Sequence, residues 1–234
     1  MKLRLSRLAW GAFIALLFHP EAGRAQSPAA ADRTQPTIAR LHYDGGGDWY
    51  ANPSSLPNLL QRIARDTRLP VAEREAVVTP LSPDLHDYPY VYMTGHGNVR
   101  FNEAELSALR AYLLAGGFLH ADDNYGMDES LRRELRLLFP EVELVAVPLD
   151  HPVYRIVHPL PDGLPKVHEH DGLPAEGLGL FHEGRLMVFY SYQSDLGDGW
   201  EDPQVHDDPV EIREQALRMG VNLFAYAVAQ RKPL

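Results

Sequence analysis

Two short polar runs carry the residue types best suited to chemistry in this chain. One is Thr94-Gly-His96-Gly-Asn98, and the other is His120-Ala-Asp122-Asp123-Asn124-Tyr125-Gly126. Imidazoles and paired carboxylates can move protons or hold a divalent ion. His120 and Asp122 are two apart, so in an extended segment they share a face. With His96 opposite, they and Asp123 make a candidate His/carboxylate metal set, and a carboxylate such as Glu201 is the candidate base on a bound water. Mixed imidazole and carboxylate ligands suit several divalent ions, so the ion stays open.

Two further polar runs are Asp44-Gly-Gly-Gly-Asp48-Trp49-Tyr50 and Ser194-Asp195-Leu-Gly-Asp198-Gly-Trp200-Glu201-Asp202. The first lacks the G-x-G-x-x-G spacing of a phosphate cradle. In the second, Asp195, Asp198 and Glu201 could offer oxygens to calcium, but they fail the EF-hand spacing. His168-Glu169-His170-Asp171 has metal-binding residue types. It lies in an irregular stretch with nothing to orient it and is expected as a solvated loop. Trp49, Tyr50, Tyr125 and Trp200 are the candidate exposed aromatics. Rings beside carboxylates and amides line sites for neutral polar ligands, because an apolar face stacks while its edges hydrogen-bond.

The elements that must position these residues follow from periodicity. Thr37–Tyr43 alternates and reads as a strand, Leu56–Thr67 has helical spacing, and Ala76–Val78 and Pro89–Met93 read as strands. Asn102 and Glu105 form a capping box for a helix that ends at Gly116-Gly117. Phe118–Ala121 is the next strand, Glu129–Phe139 a helix, and Glu143–Val147 a fifth strand. From Pro148 to Gly177 the pattern is irregular and functional or core-wrapping. Leu178–His182 and Arg185–Gln193 form a hairpin, and Asp208-Pro209-Val-Glu211 opens a last helix running to about Gln230. Strands alternating with helices predict an α/β fold: three layers, a mostly parallel sheet with helices on both faces, and an antiparallel hairpin at one edge. In such sheets ligands bind outside the carboxyl ends of the strands, where all four polar runs emerge.

Composition bounds the setting. Residues 1–25 read as a signal peptide: Lys2, Arg4 and Arg7, then the apolar run Leu8–Phe18, then Gly23-Arg24-Ala25 before Gln26. Residues 26–36 read as a disordered leader, and 37–230 as the α/β domain. Cleavage would leave a periplasmic or secreted protein with no integral membrane segment. The whole chain has 22 basic and 32 acidic residues; removing the four basic and one acidic of residues 1–25 leaves 18 against 31, or −13. That sign argues against nucleic acid and anionic membranes. There is no cysteine, which excludes thiolate catalysis, thiolate-bound zinc and iron–sulfur chemistry.

Three motifs carry a resemblance. Tyr88-Pro…Tyr92-Met-Thr-Gly-His96-Gly, Gly116-Gly-Phe-Leu…Asp122-Asp123 and Asp150-His151-Pro152-Val-Tyr154 together resemble the bacterial domain-of-unknown-function family 4159. That family is similar to the class I glutamine-amidotransferase-like superfamily, which implies a flavodoxin-like sheet. It does not imply amidotransferase activity. Where amidotransferases carry a nucleophilic cysteine after the Gly-Gly strand, this chain has Ala121-Asp122-Asp123, and no Gly-x-Ser-x-Gly elbow replaces it.

Two functions are therefore carried forward. One is a binding domain for a small neutral polar ligand, carbohydrate- or peptide-like, or another cell-envelope component. The other is a metal-dependent hydrolase with a divalent ion at the His/Asp set. A purely structural envelope partner would leave no trace in the sequence.

Overall fold

The computed structural model describes residues 35–231. The expected signal peptide and nearly all of the leader lie outside the described residues.

The sheet has seven strands in the order β2-β1-β3-β4-β7-β6-β5. They are β1 (Ile38–Leu41), β2 (Ala76–Val78), β3 (Tyr90–Gly95), β4 (Phe118–Asp123), β5 (Val145–Ala146), β6 (Glu176–His182) and β7 (Arg185–Tyr192). The first five positions, β2-β1-β3-β4-β7, are all parallel. This is the flavodoxin-like order, and β6 and β5 extend it as an antiparallel edge.

Helices cover both faces. On one side α1 (Ser55–Thr67) and α6 (Val210–Gln230) pack on Tyr90, Tyr92, Phe118 and Phe189. On the other, α2 (Glu103–Leu114) and α3 (Asp128–Leu138) pack on Val91, Met93, Leu119, Val188 and Tyr190. Strand side chains alternate between faces, so each buried strand feeds two cores. The expected capping box of α2 is present, with Asn102 accepting from the Glu105 N–H and Glu105 from the Asn102 N–H. Gly116 follows in the left-handed region at φ 111°.

Several boundaries differ from expectation: β1 is shorter, β3 runs on to Gly95 and β6 starts at Glu176, and three more have a physical reason. β4 continues through Asp122 and Asp123, because β3 and β7 pair with it on both sides. β5 shrinks to two residues; the Val147 N–H still reaches the Gly177 carbonyl, and Pro148, lacking an N–H, ends the ladder. α6 begins at Val210 with no side-chain cap. Asp208, expected to cap it, has been taken by an imidazole described below.

The irregular stretch wraps the core. Asn222, fully buried on α6, accepts from the Val157 and His158 N–H groups and donates to the His158 carbonyl. Further on, the Val167 N–H donates to the Ser194 carbonyl and the Ser194 hydroxyl to the Pro165 carbonyl. This strap thus runs beside the carboxyl end of β7. Two short helices absent from the periodicity, α4 (Leu196–Trp200) and α5 (Pro203–His206), complete that end of the molecule. On the α1 side Arg62 ties α1 to α6, donating to Glu214 at 2.6 and 2.7 Å. Among the described residues no helix is long and apolar enough to cross a membrane.

Candidate functional site

The carboxyl ends of β3, β4 and β7 open onto one polar cluster. Asp198, on α4, is its hub. Its Oδ1 accepts from Asn52 Nδ2 at 2.6 Å and from Asn124 Nδ2 at 3.3 Å. Its Oδ2 lies 2.9 Å from His168 Nδ1 and 3.7 Å from His206 Nε2. His168 Nε2 in turn is 3.1 Å from Asp208 Oδ1. Asn124 is aimed by Thr94, whose hydroxyl donates to its Oδ1 at 2.8 Å. Gly197 packs closely under these groups: a Cβ would come within 2.5 Å of the Tyr92 hydroxyl and 2.7 Å of Asn52 Nδ2, so a larger residue would displace them.

Asp195 stands beside this hub, 1% exposed. One carboxylate oxygen, Oδ2, meets His170 Nε2 and lies 3.5 Å from His168 Nδ1. The other, Oδ1, is buried without a hydrogen-bond partner, as is Oε1 of the neighbouring Gln193. Burial pushes the Asp195 carboxyl up to about 9, and the charges of Asp122, Asp198 and Asp123 add to it. The Tyr125 ring stacks on His170 with centroids 4.7 Å apart, and Tyr125 is 49% exposed.

The backbone around the cluster is held in conformations that L-residues avoid. Seven described non-glycine residues have positive φ, and five of them are Asn52, Tyr125, Gln193, Asp195 and Asp207. The other two, Arg68 and Glu183, sit at a helix end and a hairpin turn. Strain of this kind, on the order of 1–3 kcal/mol per residue, persists at ligand clamps and active sites because the surrounding structure enforces it.

A second feature lies at the ends of β1 and β3. Asp48 accepts from the His96 backbone N–H and stands 3.0 Å from His96 Nδ1, while the His96 side chain is 61% exposed. Burial pushes the Asp48 carboxyl up, but the His96 hydrogen bonds outweigh it and hold it below the usual value. Trp49 stacks on His42, and Tyr50 projects into solvent.

A family model for a domain of unknown function (DUF4159) matches residues 37–228, which span β1 to nearly the end of α6. The chain belongs to that family. No match is found among curated proteins.

Within this DUF4159 domain the candidate residues divide sharply. Asn124, Tyr125, Asp195 and Asp198 converge on the cluster. Asp48 and His96 form a separate rim pair beside Trp49 and Tyr50. The four residues expected to share an ion do not meet. His120 is fully buried, and both ring nitrogens are engaged: Tyr90 Oη is 2.6 Å from Nδ1 and Ser191 Oγ 2.9 Å from Nε2. Asp122 shares its face, as the spacing required, but α4 roofs that face. Its carboxylate accepts from the Leu196 and Gly197 N–H groups, Tyr92 and Ser191. Burial raises it to about 6, although the Ser191 and Gly197 hydrogen bonds pull the other way. Asp123 points to the opposite core, where it accepts from the Tyr125 N–H and burial raises its carboxyl.

Trp200 and Glu201 are also corrected. Trp200 is fully buried, donating from Nε1 to the Ala216 carbonyl at 2.8 Å. Glu201 is buried, and its Oε1 accepts from the Ser54 N–H and hydroxyl, tying it to the start of α1. The His168–Asp171 run is not a free solvated loop, since His168 and His170 both reach the cluster. Asn52, Gln193, His206 and Asp208 went unrecognised. His206-Asp207-Asp208 was a visible signal, but its last carboxylate also fitted a helix cap.

Proposed function

We propose that this domain binds a small polar ligand, neutral or cationic and rich in hydrogen-bond donors, at the carboxyl ends of β3, β4 and β7. The observation carrying the reading is Gln193 Oε1, an acceptor buried without a partner at the strand ends, on a residue in the left-handed conformation. An unpaired buried amide oxygen costs on the order of 1–3 kcal/mol, a penalty that a donor on a ligand removes. Its amide nitrogen is oriented by Asp171, 3.1 Å away. The nearby acidic groups are Asp171, on its amide nitrogen, and Asp198, with the buried Asp195 carboxyl held neutral beside them. Lys166, whose charge reaches Asp195, is itself engaged by the Leu173 carbonyl and by Glu169 at 3.4 Å. An anionic ligand would face these carboxylates, whereas hydroxyl, amide and amino groups suit them. The half-exposed Tyr125 ring supplies a stacking face for a sugar or peptide plane.

The scaffold reads as a degenerate amidotransferase-like one. Support for this is the flavodoxin-like order together with Asp122 and Asp123 at the carboxyl end of β4, the strand after which an amidotransferase carries its cysteine nucleophile. The chemistry of that ancestry is absent, so the domain acts by recognition, or by chemistry other than thiolate attack.

Thermal shift against neutral glycans and cell-wall peptide fragments tests the reading, with glucuronate as the anionic control. The melting temperature is expected to rise with a neutral or amino-bearing fragment and not with glucuronate. Tyr125→Ala should lose the response while melting near the wild type, because its ring is half exposed. Flat melting curves across the panel would count against a ligand of this class.

The site of action is proposed to be outside the cytoplasm, which the Lys2–Ala25 pattern supports. Intact-mass measurement of protein recovered from a periplasmic extract should give a chain starting near Gln26. Recovery of the intact Met1 form from the membrane fraction would reverse that assignment.

A further inference from the structure

We infer that His168, Asp198 and His206 form a binding site for one divalent first-row transition-metal ion. Each offers one ligand atom, and the three atoms lie within 4.8 Å of one another. Asp198 Oδ2 is 2.9 Å from His168 Nδ1 and 3.7 Å from His206 Nε2. Donors bound at about 2.0–2.2 Å to a common ion stand roughly 3–3.5 Å apart, so a small closing movement suffices. The ligands come from three separate elements: the strap after Pro148, α4 and α5.

The surroundings are those that orient ligands. His168 has its second nitrogen on Asp208, the kind of carboxylate pairing that orients a metal-bound imidazole, while Nδ1 faces Asp198. Asp198 has its second oxygen held by Asn52 and Asn124, leaving Oδ2 to face the imidazoles. The His168 and His206 rings approach edge-to-face, with centroids 5.1 Å apart.

An independent observation points to a cation. Asp195 is 1% exposed and its Oδ1 has no partner, yet its Oδ2 lies 3.5 Å from the ligating nitrogen of His168. A buried carboxyl with one oxygen unpaired is costly to ionise, and a cation beside it offsets that cost. Two imidazoles with carboxylate favour zinc, cobalt, nickel, iron or manganese over magnesium and calcium, which prefer all-oxygen shells. An ion with three protein ligands keeps open positions for water or for a donor atom of the crevice ligand. The site does not depend on the ligand proposed above, because it is defined by the metal alone.

The test is titration of untagged, chelator-treated full-length protein with Co(II). One equivalent is expected to bind, with a d–d absorption band and a rise in melting temperature. His206→Ala sits on the short α5 and is expected to fold, as circular dichroism will check. It should weaken Co(II) binding by at least about 100-fold, and Asp208→Asn by about 10-fold through the loss of orientation alone. Asp198→Asn provides a second ligand variant. Wild-type protein that takes up no Co(II) or Zn(II), or affinities unchanged in both ligand variants, would overturn the site and leave a hydrogen-bonded cluster. Glycan binding by metal-free protein would leave the proposed function standing in that event.

Discussion

Replacing Trp200 by alanine is expected to cost about 3–5 kcal/mol of folding stability. The indole is fully buried between the sheet and α6, with centroids 5.5 Å from Tyr92 and 5.9 Å from His120. Its N–H finds the Ala216 carbonyl, and truncation loses that bond, although the carbonyl keeps its place in the α6 ladder. Collapse into the space is hindered from the α6 side, where Gly220 packs so closely that a Cβ would lie 2.9 Å from the indole Cζ2. A domain of this size has roughly 5–15 kcal/mol in total, so the variant should melt far below the wild type. Urea denaturation measures the loss, and Trp200→Phe should recover part of it by refilling the volume. The same residue read as a ligand-stacking aromatic predicts the opposite pattern, near-native stability with loss of ligand response. That outcome would return Trp200 to the binding surface.

Much of the fold was legible because each element declares itself locally. The Asn102/Glu105 box, the Gly116-Gly117 stop and the alternation of strands with helices all lie within a few residues of what they specify. From alternation the parallel sheet follows, since a strand–helix–strand unit returns in the same direction. Two kinds of feature escaped. α4 and α5 are too short for a helical period and are held by tertiary contacts, such as Asp122 accepting from the first N–H groups of α4. Asp208 shows the second kind. Beside Pro209 and Glu211 it is a good local cap, but an imidazole 40 residues earlier in the chain claims the carboxylate instead.

The site was legible in place and not in membership. That the strand ends would gather the polar loops followed from topology, and Asn124, Tyr125, Asp195 and Asp198 do converge there. Grouping the residues by chemical type failed for geometric reasons. Asp122 and Asp123 are consecutive in a strand, so they serve opposite faces and cannot work as a pair. His120 and Asp122 do share a face, but α4 and α6 close over it. The partners that make the cluster come from far along the chain; Asn52 and Asp198 are 146 residues apart. No spacing rule reaches that distance. His168 and His170 were visible as ligand types, and tertiary contacts such as the Val167–Ser194 backbone bond and the Asp208 carboxylate on His168 supply the orientation their local sequence lacks.

His120 is expected to act as a neutral core residue, and its stability should depend on pH accordingly. A single tautomer satisfies its surroundings: Tyr90 donates to Nδ1, and Nε2–H donates to Ser191, whose own proton goes to Asp122. Protonation would put a charge in a fully dry site, and burial lowers the imidazole to about 3 from its ordinary 6.5. As pH falls through 6.5 the unfolded chain takes up a proton that the folded chain refuses. Stability from this residue is therefore whole above pH 6.5 and is lost progressively down to about 3. The loss is about 1.4 kcal/mol per pH unit, roughly 2 kcal/mol by pH 5. Asp122 works in the other direction over part of this range. Its carboxyl is raised to about 6, so the folded state keeps a proton that the unfolded state has released, and stability recovers as pH falls toward 3.8. The wild-type curve alone would mix the two. The difference between His120→Gln and wild type separates them, since the glutamine does not titrate and Asp122 remains in both. That variant should be the less stable at pH 7, and the gap should narrow by roughly 2 kcal/mol in urea melts at pH 5. A gap that stays constant with pH would mean that His120 titrates normally, as a solvent-reached or metal-ligating imidazole would.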